Sequence, residues 1–441
     1  MRAAILIIIV LAGLGLRLGE AWNGTSDNLD DSLAYERIAR GLHDDGVFEQ
    51  RGEGVPAHPQ PASNYSPGLP LLVAGVYDVM GGNYVRSARL LLALLASLAI
   101  PLAFVLGSRL GGTDAGLIGT AITAFYPTLV ADNSMMLTEP LAATLAIASV
   151  LAILRARDRR RLTGWILPGL LLGALTMVRP EYLMISVFVA VVLVLIELRG
   201  GIWAALRAPL VMLGAGLVVI APWSIHNLMK IDRPVLSTGG GQTLFTGSYM
   251  PAHGDPQKVL RLVLQHNPDI TRELIRQNRA SGEGLESITP ERAFELLAAR
   301  ERPGVTTDAA LGQMGRAQYR RAWRESPASV LNLFRLKIQR IWWRGRGNLT
   351  DPIPGRVFHW SIVLAALIGM AFAWTRRRNE FWVLLPFFLG ATFIGIYLVA
   401  SPRRALVLWP LVSALAGLGV SGTIGFIRAR LSDGRGPVAI P

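Results

Sequence analysis

Long runs of largely apolar residues most constrain what this chain can fold into. A helix needs about 20 largely apolar residues to cross a bilayer, and about ten runs close to that length occur here. They are residues 3–19, 86–107, 114–131, 140–155, 163–178, 181–197, 204–223, 356–374, 380–400 and 404–425. We therefore predict an all-α polytopic membrane protein with about ten transmembrane helices.

The composition supports a membrane protein over a large soluble domain. The chain is 51% hydrophobic and only 17% charged, whereas a soluble domain carries about 25% charged residues. The formal net charge is +14, but the basic residues form short clusters between apolar runs, so nucleic acid is not predicted as a partner. The absence of cysteine excludes disulfides, thiolate metal sites and cysteine nucleophiles.

Arginine clusters in the short linkers predict the orientation in the membrane. Placing Met1 on the cytoplasmic side puts all of these clusters inside, as the positive-inside rule requires. They are Arg155, Arg157, Arg159, Arg160 and Arg161; Arg199 and Arg207; Arg376, Arg377 and Arg378; and Arg428, Arg430 and Arg435. We therefore predict a multi-pass protein of a plasma (inner) membrane with a cytoplasmic N-terminus.

This orientation makes the two long connections external. The first, residues 20–85, is acidic and contains an amphipathic pattern at 31–42 that predicts a short helix. Its apolar stretch from Gly68 to Met80 is too short to span and is predicted to lie in the membrane interface. The second, residues 224–355, is predicted to be mainly helical, with helices near 257–266 and 288–301 and a third from Ser326-Pro327 to about Trp343.

The predicted division of the chain follows from these connections. Residues 1–223 form a transmembrane module whose first external loop, 20–85, is the candidate catalytic loop. Residues 224–355 form an external domain, and residues 356–441 form the last transmembrane helices and a cytoplasmic tail.

Two adjacent carboxylates, Asp30 and Asp31, begin the predicted helix just outside the first span. A carboxylate there can act as general base on an acceptor hydroxyl. Aspartate is also a preferred helix N-cap, so one of the two has a purely structural interpretation.

Several short motifs occur in order along almost the whole chain. They are Asp31-Ser32, Tyr35 and Ile38-Ala39; Gly46 and Phe48; Tyr65-Ser66-Pro67-Gly68-Leu69-Pro70-Leu71; Leu137-Thr138-Glu139-Pro140; Val178-Arg179-Pro180-Glu181; Ala221-Pro222-Trp223-Ser224-Ile225-His226-Asn227; Ser237-Thr238-Gly239-Gly240; and Pro402-Arg403-Arg404. Together they resemble the GT-C superfamily of membrane glycosyltransferases, in the bacterial branch related to protein O-mannosyltransferases and lipid A aminoarabinose transferases.

The resemblance implies an inverting transfer of a hexosyl or pentosyl group from a polyprenyl-monophosphate sugar to an acceptor hydroxyl at the external membrane face. Asp31 matches the position of the family's base, with Asp30 as the alternative one residue away. The acceptor is expected to be an envelope lipid, a polysaccharide or a protein. No cofactor is certain, and a divalent cation is left open.

Charged residues near the ends of spans are further candidates. Glu139 either holds the donor sugar or a cation, or faces headgroups and caps its helix. Arg179, Arg403 and Arg404 are predicted at the outer face, where they either bind the donor phosphate or reach lipid headgroups. No metal ligand set is predicted, because the six histidines show no ligand spacing such as H-x-x-x-H.

Four aromatic or histidine side chains complete the substrate-binding candidates. Tyr35 and Tyr65 belong to the loop motifs. His58 lies near Tyr65 and could contact substrate, but the sequence favours a solvated loop position for it. His226 stands where family members often carry arginine, which puts a phosphate-binding role there in doubt.

Two other classes of function compete with the glycosyltransferase. A secondary transporter or lipid flippase would place charged groups within its spans, whereas the candidate spans here carry few charges. The third hypothesis is an inactive scaffold that uses the basic external domain to bind a partner.

Overall fold

The computed structural model describes residues 1–24, 30–51, 62–82, 84–281, 288–345 and 353–432. Within these ranges the chain is helical, with no β-strand. The predicted all-α polytopic fold is therefore confirmed.

The helices follow one another with short connections. They are α1 (Arg2–Asn23), α2 (Asp30–Asp45), α3 (Gly68–Met80), α4 (Val85–Ser97), α5 (Ala99–Gly111), α6 (Thr113–Phe125), α7 (Pro127–Ala131), α8 (Thr138–Arg159), α9 (Ile166–Val178), α10 (Tyr182–Glu197), α11 (Ile202–Ile231), α12 (Gly240–Ser248), α13 (Pro256–His266), α14 (Pro268–Ser281), α15 (Pro290–Glu301), α16 (Thr307–Glu325), α17 (Pro327–Trp342), α18 (Ile353–Arg376), α19 (Arg378–Tyr397), α20 (Pro402–Val407) and α21 (Trp409–Ser432).

Among the described residues, eight helices are long and apolar enough to cross a membrane, counting α4 with α5 (Val85–Gly111) as one and α10 with the 3-10 turn after it (Tyr182–Gly200) as one. They correspond to eight of the expected spans. The expected span at 163–178 is a 3-10 turn followed by the 13-residue helix α9. The expected span at 114–131 is divided into α6 and α7. Two of the ten expected spans are therefore shorter or divided in the structure.

The break between α6 and α7 has a local cause at Tyr126-Pro127. A proline ring disfavours helical backbone in the residue before it, and Tyr126 is extended, with φ −65° and ψ 118°. The carbonyls left open at the end of α6 accept hydrogen bonds from the buried Arg17 guanidinium, at 2.7 Å from Thr123 O and 3.1 Å from Ala124 O. Arg17 is thus a charged residue inside a span that stabilises a broken helix.

The charged residues separate to the two ends of the helix bundle. At one end, Arg109 Nη2 lies 2.9 Å from Asp158 Oδ1 and Arg109 Nε lies 3.1 Å from Glu380 Oε1. Arg2 pairs with Asp114 at the same end. This is the end that the arginine clusters predict to be cytoplasmic, and the side proposed as external lies at the other end.

The first loop, residues 20–85, packs onto the bundle through both of its predicted helices. The predicted helix at 31–42 is present as α2, and the predicted helix from Gly68 to Met80 is present as α3. Ser66 Oγ donates to Val178 O at 2.7 Å, and a Cβ on Gly68 would lie 2.8 Å from the Met177 carbonyl group. The loop is thereby held against the end of α9.

The long segment, residues 224–355, contains the three predicted helices as α13, α15 and α17. It also contains α12, α14 and α16, which the sequence did not predict. A hydrophobic core separate from that of the bundle runs from Phe245 to Leu311. The predicted start of this segment falls inside α11, which continues to Ile231.

Candidate active site

Six charged side chains from four parts of the chain meet at one end of the bundle. Asp31 lies in the first turn of α2 and Glu139 in the first turn of α8. Arg179 and Glu181 lie between α9 and α10, and Arg403 and Arg404 lie in α20. We call the series Asp31, Arg403, Glu139, Arg179, Glu181 and Arg404 the charge ladder, because acids and arginines alternate along it.

Arg403 joins the first two acids of the charge ladder. Its Nη1 donates to Asp31 Oδ2 at 2.5 Å, and its Nε donates to Glu139 Oε1. Burial disfavours the charged guanidinium, but Glu139 and then Asp31 outweigh burial and raise the pKa of Arg403 above its usual range. Arg403 is therefore a permanently charged bridge between two carboxylates.

Arg179 and Arg404 share the remaining acid. Arg179 Nη1 lies 3.2 Å from Glu139 Oε1, and Arg179 Nε donates to Glu181 Oε1 at 3.0 Å. Arg404 Nη1 donates to the same Glu181 oxygen at 3.1 Å. Burial opposes ionisation of Glu181, but the two arginines lower the pKa of its carboxyl group.

Burial decreases toward Asp31, at one end of the charge ladder. The Glu139 side chain is fully buried, whereas that of Asp31 is 44% exposed. A buried carboxylate is tolerated only when it is paired, and two arginines pair Glu139. Asp31 is therefore the carboxylate of the charge ladder most accessible to a substrate.

Local sequence fixes these positions. Ser401 caps α20 by accepting from the Arg403 backbone N–H at 3.3 Å, and Pro402 occupies the first helical turn. Ser32 Oγ accepts from the Met136 backbone N–H at 2.9 Å, which holds α2 beside the segment that leads into α8. Arg403 and Asp31 are thus placed by serine hydroxyl groups within two residues of them in sequence.

Tyr35 and Tyr65 form an aromatic wall next to the charge ladder. Their rings meet edge to face at 5.3 Å between centroids. Burial raises the pKa of the Tyr35 phenol to about 12, and Asp31, Glu139 and Arg179 contribute to its electrostatic environment. The structure therefore brings both predicted tyrosines together beside the predicted acids.

The other predicted residues have different outcomes. His226 stacks on Trp223 at 4.9 Å, and Trp223 in turn contacts Phe48, so the structure places His226 in an aromatic cluster and gives it no charge-ladder contact within the described ranges. Asp30 begins α2, one residue before Asp31. His58 lies outside the described residues.

Glu181 belongs to the site but was not a sequence candidate. It stands two residues after Arg179 in the Val178-Arg179-Pro180-Glu181 motif. A glutamate two residues after an arginine, both at the end of an apolar span, was the signal that could have identified it.

The carboxylates of Asp31 and Glu139 do not fit a divalent cation in this arrangement. Arg403 donates to both of them, so a cation would first have to displace a guanidinium. Hard divalent cations require about six oxygen ligands, and no group of three histidine, aspartate or glutamate side chains in the described ranges is placed so that it could hold a metal ion. No chemical step at this site is therefore assigned to a metal.

One known family matches part of this chain. Residues 58–226 match the family described as dolichyl-phosphate-mannose-protein mannosyltransferase. No curated protein sequence matches the chain.

Solved structures share the fold at low sequence identity. The archaeal oligosaccharyltransferase AglB from Archaeoglobus fulgidus, in complex with an inhibitory peptide and a dolichol-phosphate, is 13% identical with a TM-score of 0.55, over 100% of this chain and 52% of that one. The apo form of an oligosaccharyltransferase from the same organism is 15% identical with a TM-score of 0.51, over 100% and 53%. This chain thus spans about half the length of these oligosaccharyltransferases.

A third structure, ArnT from Cupriavidus metallidurans bound to undecaprenyl phosphate, is 14% identical with a TM-score of 0.39, over 98% of this chain and 81% of that one. The predicted resemblance to the GT-C glycosyltransferases is confirmed by the family match over residues 58–226, and this polytopic membrane protein shares the fold of the oligosaccharyltransferases.

Proposed function

We propose that this chain transfers a sugar from a polyprenyl-monophosphate donor to an acceptor hydroxyl, at the external face of a plasma membrane. The observation that carries the proposal is the charge ladder, which gathers three acids and three arginines at one end of the bundle and leaves Asp31 partly exposed. An accessible carboxylate beside fixed cations is what a reaction needs when it removes a proton and releases a phosphate.

Asp31 acts as the general base in this proposal, with Asp30 as the alternative. It takes the proton of the acceptor hydroxyl as the oxygen attacks the anomeric carbon. The bond between that carbon and the phosphate oxygen breaks on the opposite side, so the configuration inverts and the polyprenyl phosphate leaves. Arg403 orients the base, because it holds one carboxylate oxygen of Asp31 at 2.5 Å.

The arginines differ in how they can meet the leaving phosphate. Arg403 already contacts two acids, whereas Arg404 shares Glu181 with Arg179. We therefore assign the phosphate to Arg404 first and to Arg179 and Arg403 as its neighbours, because arginine binds phosphate through charge-assisted hydrogen bonds. Glu139 is fully buried, so it supports the donor sugar indirectly, by holding Arg403 and Arg179 in place.

The acceptor is an envelope lipid, polysaccharide or protein, and the long segment contributes to its selection. The relatives support this class in general, since one was solved with a dolichol-phosphate and an inhibitory peptide.

The deciding experiment measures sugar transfer in membranes from labelled polyprenyl-phosphate sugars, with wild type and Asp31→Asn at matched expression. We expect turnover by wild type and a loss of about a hundredfold or more in Asp31→Asn, the scale of general-base catalysis. Asp158→Asn is the control, because it removes a carboxylate from an arginine pair at the opposite end of the bundle.

Two outcomes would contradict the proposal. If Asp31→Asn and Asp30→Asn both transfer at the wild-type rate, neither aspartate is the base. If wild type cleaves no donor while labelled lipid crosses the bilayer only in its presence, the transporter or flippase hypothesis replaces the enzyme.

A further inference from the structure

A second polar feature lies outside the charge ladder, between the first loop and the long segment. It is a cavity of about 310 Å³ whose walls include Asn64, Gln242, Glu291 and Thr307. This volume is at the lower end of the range for small-molecule sites, about 300–1,000 Å³. We propose that the cavity binds a neutral, hydroxyl-rich saccharide part of the acceptor, an inference that rests on the proposed sugar transfer.

The chemistry of the walls suits hydroxyl groups. Gln242 Nε2 donates to Glu291 Oε1 at 3.0 Å, and amide, hydroxyl and carboxylate groups recur around the cavity. A sugar hydroxyl both donates and accepts, so it can bind to amides and carboxylates at once. Such a set of walls can satisfy several neighbouring hydroxyls of one sugar.

The charge of the walls argues against a phosphate-bearing occupant. The lining includes the three carboxylates of Glu291, Glu295 and Asp308, but only one arginine, Arg233. The Arg233 guanidinium already donates to the Thr306 hydroxyl, at 2.5 Å. Like charges close together in a partly buried site repel strongly, so an acidic cavity favours a neutral saccharide over a phosphorylated headgroup.

The cavity is connected to the charge ladder through the first loop. Thr238 joins the two sides of the cavity, because its backbone N–H donates to Ser63 O at 2.8 Å and its hydroxyl donates to Asn64 Oδ1 at 2.7 Å. Asn64 is followed by Tyr65, whose ring packs on Tyr35 beside the acids. A saccharide held here therefore contacts Ser63 and Asn64, the residues that directly precede the tyrosine beside the acids.

Two adjacent glycines provide a matched pair of variants. Gly239 lines the cavity, and a Cβ there would meet only Asn64 O, at 3.6 Å. Its φ of −74° accepts any side chain. A Cβ on Gly240 would meet nothing within 4 Å, and Gly240 is not part of the lining. Gly239→Leu therefore fills the cavity, and Gly240→Leu adds the same side chain outside it.

The test measures binding by saturation-transfer NMR on the purified full chain. The probes are maltohexaose and mannohexaose, maltohexaose with a terminal 6-phosphate, and a serine- and threonine-rich peptide, each at about 10 mM so that weak complexes are detected. We expect a neutral hexasaccharide to bind to wild type and Gly240→Leu, with at least a tenfold weaker signal for Gly239→Leu and for the phosphorylated probe.

The inference is overturned by equal saccharide binding in the two leucine variants, by binding of the peptide instead, or by binding of no neutral saccharide. Donor cleavage is measured in parallel, so the two proposals fail separately. A wild type that cleaves no donor refutes the proposed function. A Gly239→Leu variant that cleaves donor and keeps the wild-type KM for the bound saccharide refutes the cavity.

Discussion

Replacing Arg403 by methionine tests whether the charge ladder is held together by its central guanidinium. The substitution keeps much of the side-chain volume but removes the charge that pairs Glu139 and Asp31. Glu139 is fully buried and, among the described residues, would retain Arg179, at 3.2 Å, as its one cationic partner. Breaking a buried ion pair from one side costs about 3–5 kcal/mol, and the remaining partner puts our expectation near the lower limit, about 3 kcal/mol.

The assay is reversible unfolding in mixed micelles, followed by tryptophan fluorescence, for a double-mutant cycle. We expect Arg403→Met/Glu139→Gln to be clearly more stable than the sum of the two single changes predicts, because the double variant leaves no unpaired buried carboxylate. The coupling free energy should be about 1–3 kcal/mol.

A surface pair of the same chemistry is the control for this cycle. Arg321 and Glu325 are 78% and 61% exposed and lie 2.7 Å apart. Arg321→Met should change the free energy of unfolding by less than about 1 kcal/mol, as exposed pairs do. If the Arg403 and Glu139 changes are simply additive, or if Arg403→Met costs no more than Arg321→Met, the reasoning about the charge ladder is wrong.

Three further results are expected. Lys337 is fully buried, and its ammonium group donates to Tyr319 Oη and to the carbonyls of Ile396 and Leu398. Burial, together with the nearby Arg340 and Arg404, lowers the pKa of Lys337 to about 7. Because the unfolded chain then binds more protons between pH 7 and 10, the free energy of unfolding should rise with pH in that window, and Lys337→Met should flatten the rise. Gly68→Val should lower the free energy of unfolding by about 1–3 kcal/mol, because the new Cβ would lie 2.8 Å from the Met177 carbonyl group. A Cβ on Gly75, in the same helix, would meet nothing within 4 Å, so Gly75→Val should be tolerated in the same unfolding assay. Sugar transfer by wild type should persist in excess chelator, because Arg403 supplies the positive charge between Asp31 and Glu139. Activity that is lost with chelator and restored by Mn²⁺ would refute this role of Arg403.

Sequence patterns predicted the elements whose signals are local. The apolar runs gave eight full-length spans, and the short apolar stretch at Gly68–Met80 is a separate helix of the expected length. Helix periodicity depends on neighbours three and four residues away, so it can be read in a window of the chain. The Tyr126-Pro127 break was equally local, but the apolar composition on both sides concealed it.

The site was only partly predictable, because its pairings join distant parts of the chain. Asp31 and Arg403 are 372 residues apart, and no periodicity relates them. The family-like motifs identified the two residues separately, yet they did not show that Arg403 contacts both Asp31 and Glu139. The pairing of Glu181 with Arg179 is local, but its second partner, Arg404, is 223 residues away in sequence and comes within 3.1 Å only in the folded structure.

The separation of 372 residues between Asp31 and Arg403 also sets an order of events during synthesis. A ribosome adds about 5–20 residues per second, so Arg403 is made roughly 20–70 seconds after Asp31. For most of that interval Glu139 has been synthesised but Arg403, one of its two cationic partners, has not. A carboxylate that lacks a partner is costly to bury. The early helices must therefore enter the membrane around an open centre, and the last helices close it. A chain cut short before α20 would have most of its spans and no complete charge ladder.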